Sequence, residues 1–341
     1  MRKIKTAIIG INKYSHSKQI VGSVRKQDDI FDVVGYVLPE NERERIPERI
    51  DTLDNLKELM LDEVLNDNSI EAVVIETDEI YLTKYALLCA KAGKHIHMEK
   101  PGGISLPDFE KLISVMKQTG KVFSTGYMYR HNPFVVDLLQ KIKNGELGEI
   151  LSVEAQMSCI LPPSTREWLS TLYGGMMFYL GCHLIDLVLQ IQGQPKRIIP
   201  LNKSSRLDGI SSLDSGFAVF EYENGTSFVK TTAVEIGGYA RRQFVVTGSK
   251  GTIELKPFEM YDNGGYVIQQ FVAPKFTDEE QKIINKYYND IDTYIDEMEQ
   301  KWIIGAEDVE KGWDKYLATL KKMNVDQVIK IYQTAYARDN K

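Results

Sequence analysis

Over its first 130 residues the chain alternates short β-branched runs with stretches of helical apolar spacing. KTAIIGI (5–11), DVVGYVL (32–38), EAVVIET (71–77), HIHME (95–99) and KVFSTGYMY (121–129) read as strands. Residues 17–27, NLKELMLDEVLND (55–67), YLTKYALLCAKAG (81–93) and SLPDFEKLISVMKQTG (105–120) read as the helices between them. Ser105 is an N-cap, and Gly93 and Gly120 are stops. This alternation implies right-handed βαβ units around a buried parallel sheet.

After residue 150 the period changes. EILSVEAQMSCI (149–160) alternates, as do the runs flanking Asn224-Gly225 in GFAVFEYENGTSFVKTTAVE (216–235), a hairpin signature. RQFVVTGSKGTIEL (242–255) reads as two further strands about a turn, and GGMMFYLGCHLID (174–186) as a helix. VDQVIKIYQTAYARD (325–339) is an amphipathic helix. The expected fold class is α/β. A Rossmann-type doubly wound parallel sheet (1–130) precedes an α+β domain with a large, mostly antiparallel open-faced sheet (131–324). A C-terminal helix (325–341) is expected to pack back on the first domain.

Composition narrows the function classes. The chain has 341 residues, 43% hydrophobic and 26% charged, with a net charge of −6 and no basic cluster. Nucleic acid is not an expected partner. No run approaches the ~20 apolar residues of a membrane span, and no targeting segment is visible. Cys89, Cys159 and Cys182 have no metal-ligand spacing and fit reduced, buried thiols of a cytoplasmic protein. Cys182 adjoins His183, but neighbours on a helix point about 100° apart, poor geometry for activating a nucleophile.

Ligands of parallel sheets bind outside the carboxyl ends of the strands, so chemistry is sought there. The first loop, GINKYSHS (10–17), keeps Gly10 of a dinucleotide fingerprint but has Asn12 and Ser15 at the other glycine places. Its amides and the Ser15 or Ser17 hydroxyls can hold a phosphate. After the second strand stand Leu38 and Pro39 instead of a ribose-binding carboxylate. Glu40 is nearby, and Arg43 and Arg45 are candidates for a 2′-phosphate, so NAD and NADP both stay open. After the fourth comes EKPGG (99–103). Lys100 there is either a solvated strand-end residue or a group over the nicotinamide, donating to a substrate hydroxyl oxygen. Lys100-Pro101 is a candidate cis bond. After the fifth, Tyr129, Arg130 and Asn132 line the seam between the domains. His183, alone among Met, Phe, Leu and Ile, reads more readily as a packed core histidine than as a proton-handling one.

The joint order of AIIGI, AGKHIHMEKP, YMYRHNP, GG…LGCHLID and VTGSKGTIEL resembles the Gfo/Idh/MocA oxidoreductases, the family of glucose–fructose oxidoreductase and inositol dehydrogenase. The resemblance implies a bound NAD or NADP and a sugar, polyol or related hydroxy or keto substrate. It also implies a homodimer or homotetramer formed through the C-terminal sheet. Lys100 matches a lysine that contacts substrate and nicotinamide, and His183 a histidine that acts as acid/base. Asp186, one helical turn on, is expected to fix the His183 ring. Tyr179 stands where the family has an aspartate, and Thr77-Asp78-Glu79 where it has Thr-Pro-Asn. The implied sites are catalytic Lys100, His183 and Tyr179; cofactor-binding Gly10, Asn12, Ser15, Thr77, Glu99, Lys100 and Pro101; and substrate-binding Tyr129, Arg130, Trp168 and Asp186. The departures keep a second outcome open. It is the same fold without net redox turnover, assisting glycoside hydrolysis or epimerisation, or sensing a ligand.

Overall fold

The computed structural model describes residues 2–256, 258–262, 265–267, 276–303 and 305–339. They divide into two compact units, residues 1–270 and 271–341.

In the first unit, strands β1 (Ile4–Ile9), β2 (Phe31–Val37), β3 (Ala72–Ile75), β4 (His95–Met98) and β5 (Phe123–Thr125) form an all-parallel sheet of order β2-β1-β3-β4-β5. Helices α1 (Ser17–Lys26), α2 (Glu42–Arg45), α3 (Leu61–Asn66), α4 (Leu82–Lys91) and α5 (Leu106–Thr119) connect them. The strands are apolar on both faces because both are covered. Ala7, Ile9, Val73, Ile75, Ile96 and Met98 pack with α4 and α5, while Ile8, Tyr36 and Val74 pack with Val21 of α1. The Ser105 hydroxyl caps α5 by accepting from the Asp108 amide, and Gly120 ends it at φ +65°.

Two expected elements are shorter than their patterns. Only Leu61–Asn66 of 55–67 is helical. Residues 57–59 instead run along the edge of β2: Tyr36 donates to the Lys57 carbonyl at 2.9 Å, and the Leu59 amide donates to that of Tyr36 at 2.8 Å. An edge strand's main-chain groups need partners, and that need overrides helical spacing here. β5 stops at Thr125 rather than at 129, and a 3₁₀ turn (Met128–His131) leads into α6 (Pro133–Lys143).

The second sheet has the order β11-β10-β6-β9-β8-β7, from β6 (Ile150–Gln156), β7 (Arg197–Pro200), β8 (Ser215–Glu221), β9 (Thr226–Thr232), β10 (Gln243–Gly248) and β11 (Gly251–Leu255). Only β6 and β9 pair in parallel. The Asn224-Gly225 turn joins β8 and β9 as expected. The buried residues of β6, β8, β9 and β10 (Val153, Phe220, Val229, Val246) meet Leu184, Leu187 and Val188 of α8 (Cys182–Gln192). Between β6 and β7, α7 (Pro163–Trp168) carries Trp168.

Past residue 270, α9 (Asp278–Ile303), α10 (Val309–Lys322) and α11 (Val325–Asp339) share a core of Ile291, Met298, Tyr316, Leu320 and Val328. The expected C-terminal helix is present to Asp339; residues 340–341 lie outside the described ones. No described helix is long and apolar enough to cross a membrane.

Candidate functional site

α8 begins in a widened turn, Met177–Gly181, with i→i+5 bonding, a local form frequent at functional sites. This turn and the first turn of α8 bring Tyr179 and His183 to Lys100 at the end of β4. The three line one cavity of about 90 Å³ with Tyr14, His16, Tyr129, Tyr239, Arg242 and Glu259. Sequence reading singled out neither Arg242 nor Glu259. Buried and exposed charges carry the same letter, and only the fold separates them.

Lys100 is 4% exposed, and its amide donates to the Glu99 carboxylate at 2.5 Å. Its Nζ donates to the Tyr179 carbonyl at 3.1 Å and lies 4.5 Å from the centre of that ring. Burial works against its charge, but Glu99 and Glu79 outweigh burial and hold its pKa above the usual lysine range. Lys100-Pro101 is cis.

His183 is 3% exposed, and its Nδ1 has no partner among the described residues. Tyr129 and Tyr127 fix the ring edge-on, with centroids 5.0 and 6.0 Å away. Asp186 does not fix it. Its carboxylate grips Arg130 in a two-toothed pair, with Nε donating at 2.8 Å. A planar guanidinium satisfies both carboxylate oxygens at once, which an imidazole cannot do. Burial, then the cations of Lys100 and Arg242, push the pKa of His183 well below 6.5.

The other expected contacts are largely committed within the chain. The Tyr179 hydroxyl donates to the Tyr14 carbonyl at 2.5 Å. Trp168 stacks on Tyr14 with centroids 4.1 Å apart, so it packs on the first loop. Tyr129 donates to Glu259, which also pairs with Arg242. Asn132 caps α6, accepting from the Phe134 amide at 2.8 Å. The Cys182 thiol is pushed up to about 12 by burial, leaving no thiolate for nucleophilic work near neutrality.

Gly10 keeps the tight turn of the first loop: at φ +82°, a Cβ there would sit 2.4 Å from Thr77 Cγ2. Side chains stand in where glycines are missing. The Ile11 amide donates to Glu42 at 3.0 Å, Asn12 to the Ser17 hydroxyl at 3.3 Å, Tyr14 to the Asn12 side chain at 2.7 Å, and Ser17 to the Ser15 hydroxyl at 3.2 Å. The Asn12 amide group also donates to the Thr77 carbonyl and to Glu79.

Behind Lys100 lies Glu76, fully buried, with neither carboxylate oxygen partnered among the described residues. Burial, then Glu99 and Glu79, raise its pKa well above 4.5. An acid raised on folding favours the native state most below pH 4.5, and that advantage is lost as pH rises toward the folded pKa. Glu76→Gln removes the ionisation and is expected to stabilise by about 1–3 kcal/mol at pH 8. Thermal melting should show a larger gain at pH 8 than at pH 5; an equal gain at both would contradict the assignment.

Residues 4–127 match the family model described as "Oxidoreductase family, NAD-binding Rossmann fold", and residues 135–254 match "GFO/IDH/MocA C-terminal domain". Scyllo-inositol 2-dehydrogenase (NADP(+)) of Bacillus subtilis is 27% identical over 140 residues, 40% of this chain and 39% of its own length. Myo-inositol 2-dehydrogenase of Thermotoga maritima is 23% identical over 198 residues, 56% of this chain and 58% of its own. The matches thus span about half the length of these relatives or less. Among solved structures, WlbA dehydrogenase of Bordetella pertussis in complex with NADH and UDP-GlcNAcA aligns with a TM-score of 0.64 at 19% identity, covering 74% of this chain and 78% of that one. That likeness concerns the fold.

Proposed function

The chain belongs to the Gfo/Idh/MocA oxidoreductases, and from that premise we propose that it moves a hydride between NAD or NADP and a sugar, polyol or related hydroxy or keto substrate. The names of the inositol dehydrogenases above support the substrate class. The observation that carries the reading is the convergence of Lys100, Tyr179 and an unpartnered His183 Nδ1 on one cavity.

A dinucleotide fits these residues. The Gly10 turn is kept, and His183 Nδ1, on the cavity wall, is a buried atom lacking a partner among the described residues. The amides of Ile11, Asn12, Tyr14 and Ser17 are already bonded to side chains, and displacing each bond costs about 1 kcal/mol. When bound, the nicotinamide supplies the hydride donor or acceptor. Lys100 Nζ then donates to the substrate oxygen and stabilises negative charge growing there. In the oxidising direction His183 Nδ1 takes the hydroxyl proton. Tyr179 holds Lys100 through its carbonyl and ring, and ties the first loop through its hydroxyl. This positioning role differs from that of an aspartate, since it brings no charge.

The test is absorbance at 340 nm with NAD or NADP across a panel of polyols and sugars, with wild type and His183→Ala. His183→Ala should lower kcat by about 10²–10⁴-fold. Because His183 is neutral down to a pH well below 6.5, its own ionisation should put no inflection in kcat/KM for oxidation between about pH 6 and 8; Glu99, which burial raises to about 7, is removed from that window by Glu99→Gln. An inflection near pH 6.5 that persists in Glu99→Gln would remove His183 as the base.

The internally bonded loop amides favour one rival, ligand sensing without net turnover. Dinucleotide binding with no absorbance change over the whole panel would favour it.

A further inference from the structure

Lys100 is a buried cation, and Tyr179, which accepts from its Nζ, offers it a carbonyl and a ring but no negative charge. A buried ammonium group without a counter-charge is costly. Three carboxyl groups lie as deep at the neighbouring strand ends: Glu76 directly after β3, Glu79 three residues on, and Glu99 beside Lys100, each 3% exposed or less. They are not equivalent. Glu76 has a partner on neither oxygen among the described residues, so it is the one to keep its proton. Glu99 accepts from the Lys100 amide. Glu79 Oε2 accepts from the Asn12 side-chain amide at 3.0 Å. Donors of this kind favour the ionised form of an acid. Burial raises the Glu79 carboxyl, while Lys100 and the Asn12 donor act against burial.

From Glu79 a series of hydrogen bonds runs to Lys100 across four separate segments. Asn12, held by Glu79, accepts on Oδ1 from the Tyr14 amide at 2.7 Å. The Tyr14 carbonyl accepts from the Tyr179 hydroxyl at 2.5 Å, and the Tyr179 carbonyl accepts from Lys100 Nζ at 3.1 Å. Trp168 packs the middle of the series, stacked on Tyr14 and edge-on to Tyr179 with centroids 4.1 and 5.1 Å away.

Resting on the oxidoreductase reading above, we propose that Glu79 is a positioning residue of the reaction: through Asn12, Tyr14 and Tyr179 it fixes where Lys100 Nζ stands, and its carboxylate is a counter-charge that Tyr179 does not provide. Glu79 is not on the cavity wall, so it acts through Lys100. The other titratable groups about Lys100 are Glu76 and Glu99 at the strand ends, His16 at the start of α1, and Tyr179, Cys182 and His183 around the start of α8. Burial pushes Tyr179 and Cys182 up to about 12, lowers His16 to about 4 and holds His183 well below 6.5. Glu76 is taken out of the comparison by Glu76→Gln.

The experiment is steady-state oxidation by the full chain at saturating dinucleotide, followed at 340 nm from about pH 6 to 10.5. Glu76→Gln protein is compared with the same protein carrying Glu79→Gln, Glu79→Asp, Tyr179→Phe, or Glu79→Gln with Tyr179→Phe, and melting curves confirm folding. Glu79→Gln should lower kcat by about 10–10²-fold and leave KM within about twofold. The alkaline fall in kcat/KM, where Lys100 gives up its proton, should come about one pH unit or more lower. Glu79→Asp, which keeps the charge, should leave that limb in place and recover part of kcat. Adding Tyr179→Phe to Glu79→Gln should cost less than about twofold more, because both break the same series. Unchanged kcat in folded Glu79→Gln, an alkaline limb that stays put, or losses that multiply in the double variant each overturn the inference alone. Should Glu79→Gln not fold, Asn12→Ala removes the donor to Glu79 in its place, and unchanged kcat there overturns the inference. No oxidation of any substrate with Glu79 intact overturns the inference and the oxidoreductase reading together.

Discussion

Lys100→Met should reduce kcat/KM by about 10²–10³-fold, the usual cost of losing one donor to a developing oxyanion. The reason lies in how the lysine is held. Its ammonium group is buried, yet Glu99 and Glu79 keep it charged, so it faces the cavity as a fixed cation. In so small and enclosed a space, a fixed charge acts on substrate oxygen far more strongly than in bulk water. Lys100→Arg should rescue little, because a planar fork does not fill the place of a compact ammonium. Steady-state kinetics check this. The loss should appear in kcat, since charge on the oxygen grows only as hydride departs. A change confined to KM would make Lys100 a binding residue.

Glu259→Ala should destabilise the first unit by about 3–5 kcal/mol, the cost of stranding one partner of a buried ion pair. Arg242 is 3% exposed and Glu259 2%, and they face each other directly. Glu259 also accepts from Tyr129, while Arg242 donates to the Ser158 carbonyl at 3.2 Å and lies over the Tyr239 ring. Removing the carboxylate leaves a buried guanidinium with one main-chain acceptor. Arg242→Met with Glu259→Leu should recover much of the loss, because no charge is then left unpaired. Denaturation followed by the fluorescence of Trp168, which lies in this unit, would measure both; equal stability of Glu259→Ala and wild type would refute the pairing.

The sequence patterns carried the architecture further than the site. Five parallel strands, the α8 helix and the Asn224-Gly225 hairpin were legible because each is set by local period or by one demanding turn. Residues 55–59 misled because their apolar spacing suits a helix, whereas the edge of β2 needed main-chain partners. Lys100, Tyr179 and His183 were legible through their motifs, and the fold does gather them. Asp186 was assigned to the wrong neighbour: helical spacing places it near His183, but Arg130 arrives from a distant segment and offers two matched donors. Glu42, Glu76, Arg242 and Glu259 were illegible for one shared reason. Whether a charged side chain is buried, and against what, is decided by long-range packing.

Nicotinamide redox chemistry at this cavity would run through Lys100 and His183. The most direct measurement is stopped-flow absorbance at 340 nm, mixing wild type, Lys100→Met and His183→Ala, each saturated with NADH or NADPH, with a panel of keto sugars and inososes. Wild type is expected to oxidise NAD(P)H on at least one substrate, with both variants binding dinucleotide but slowed by about 10²-fold or more. Wild-type rates in either variant, or no dinucleotide binding by wild type, would contradict it.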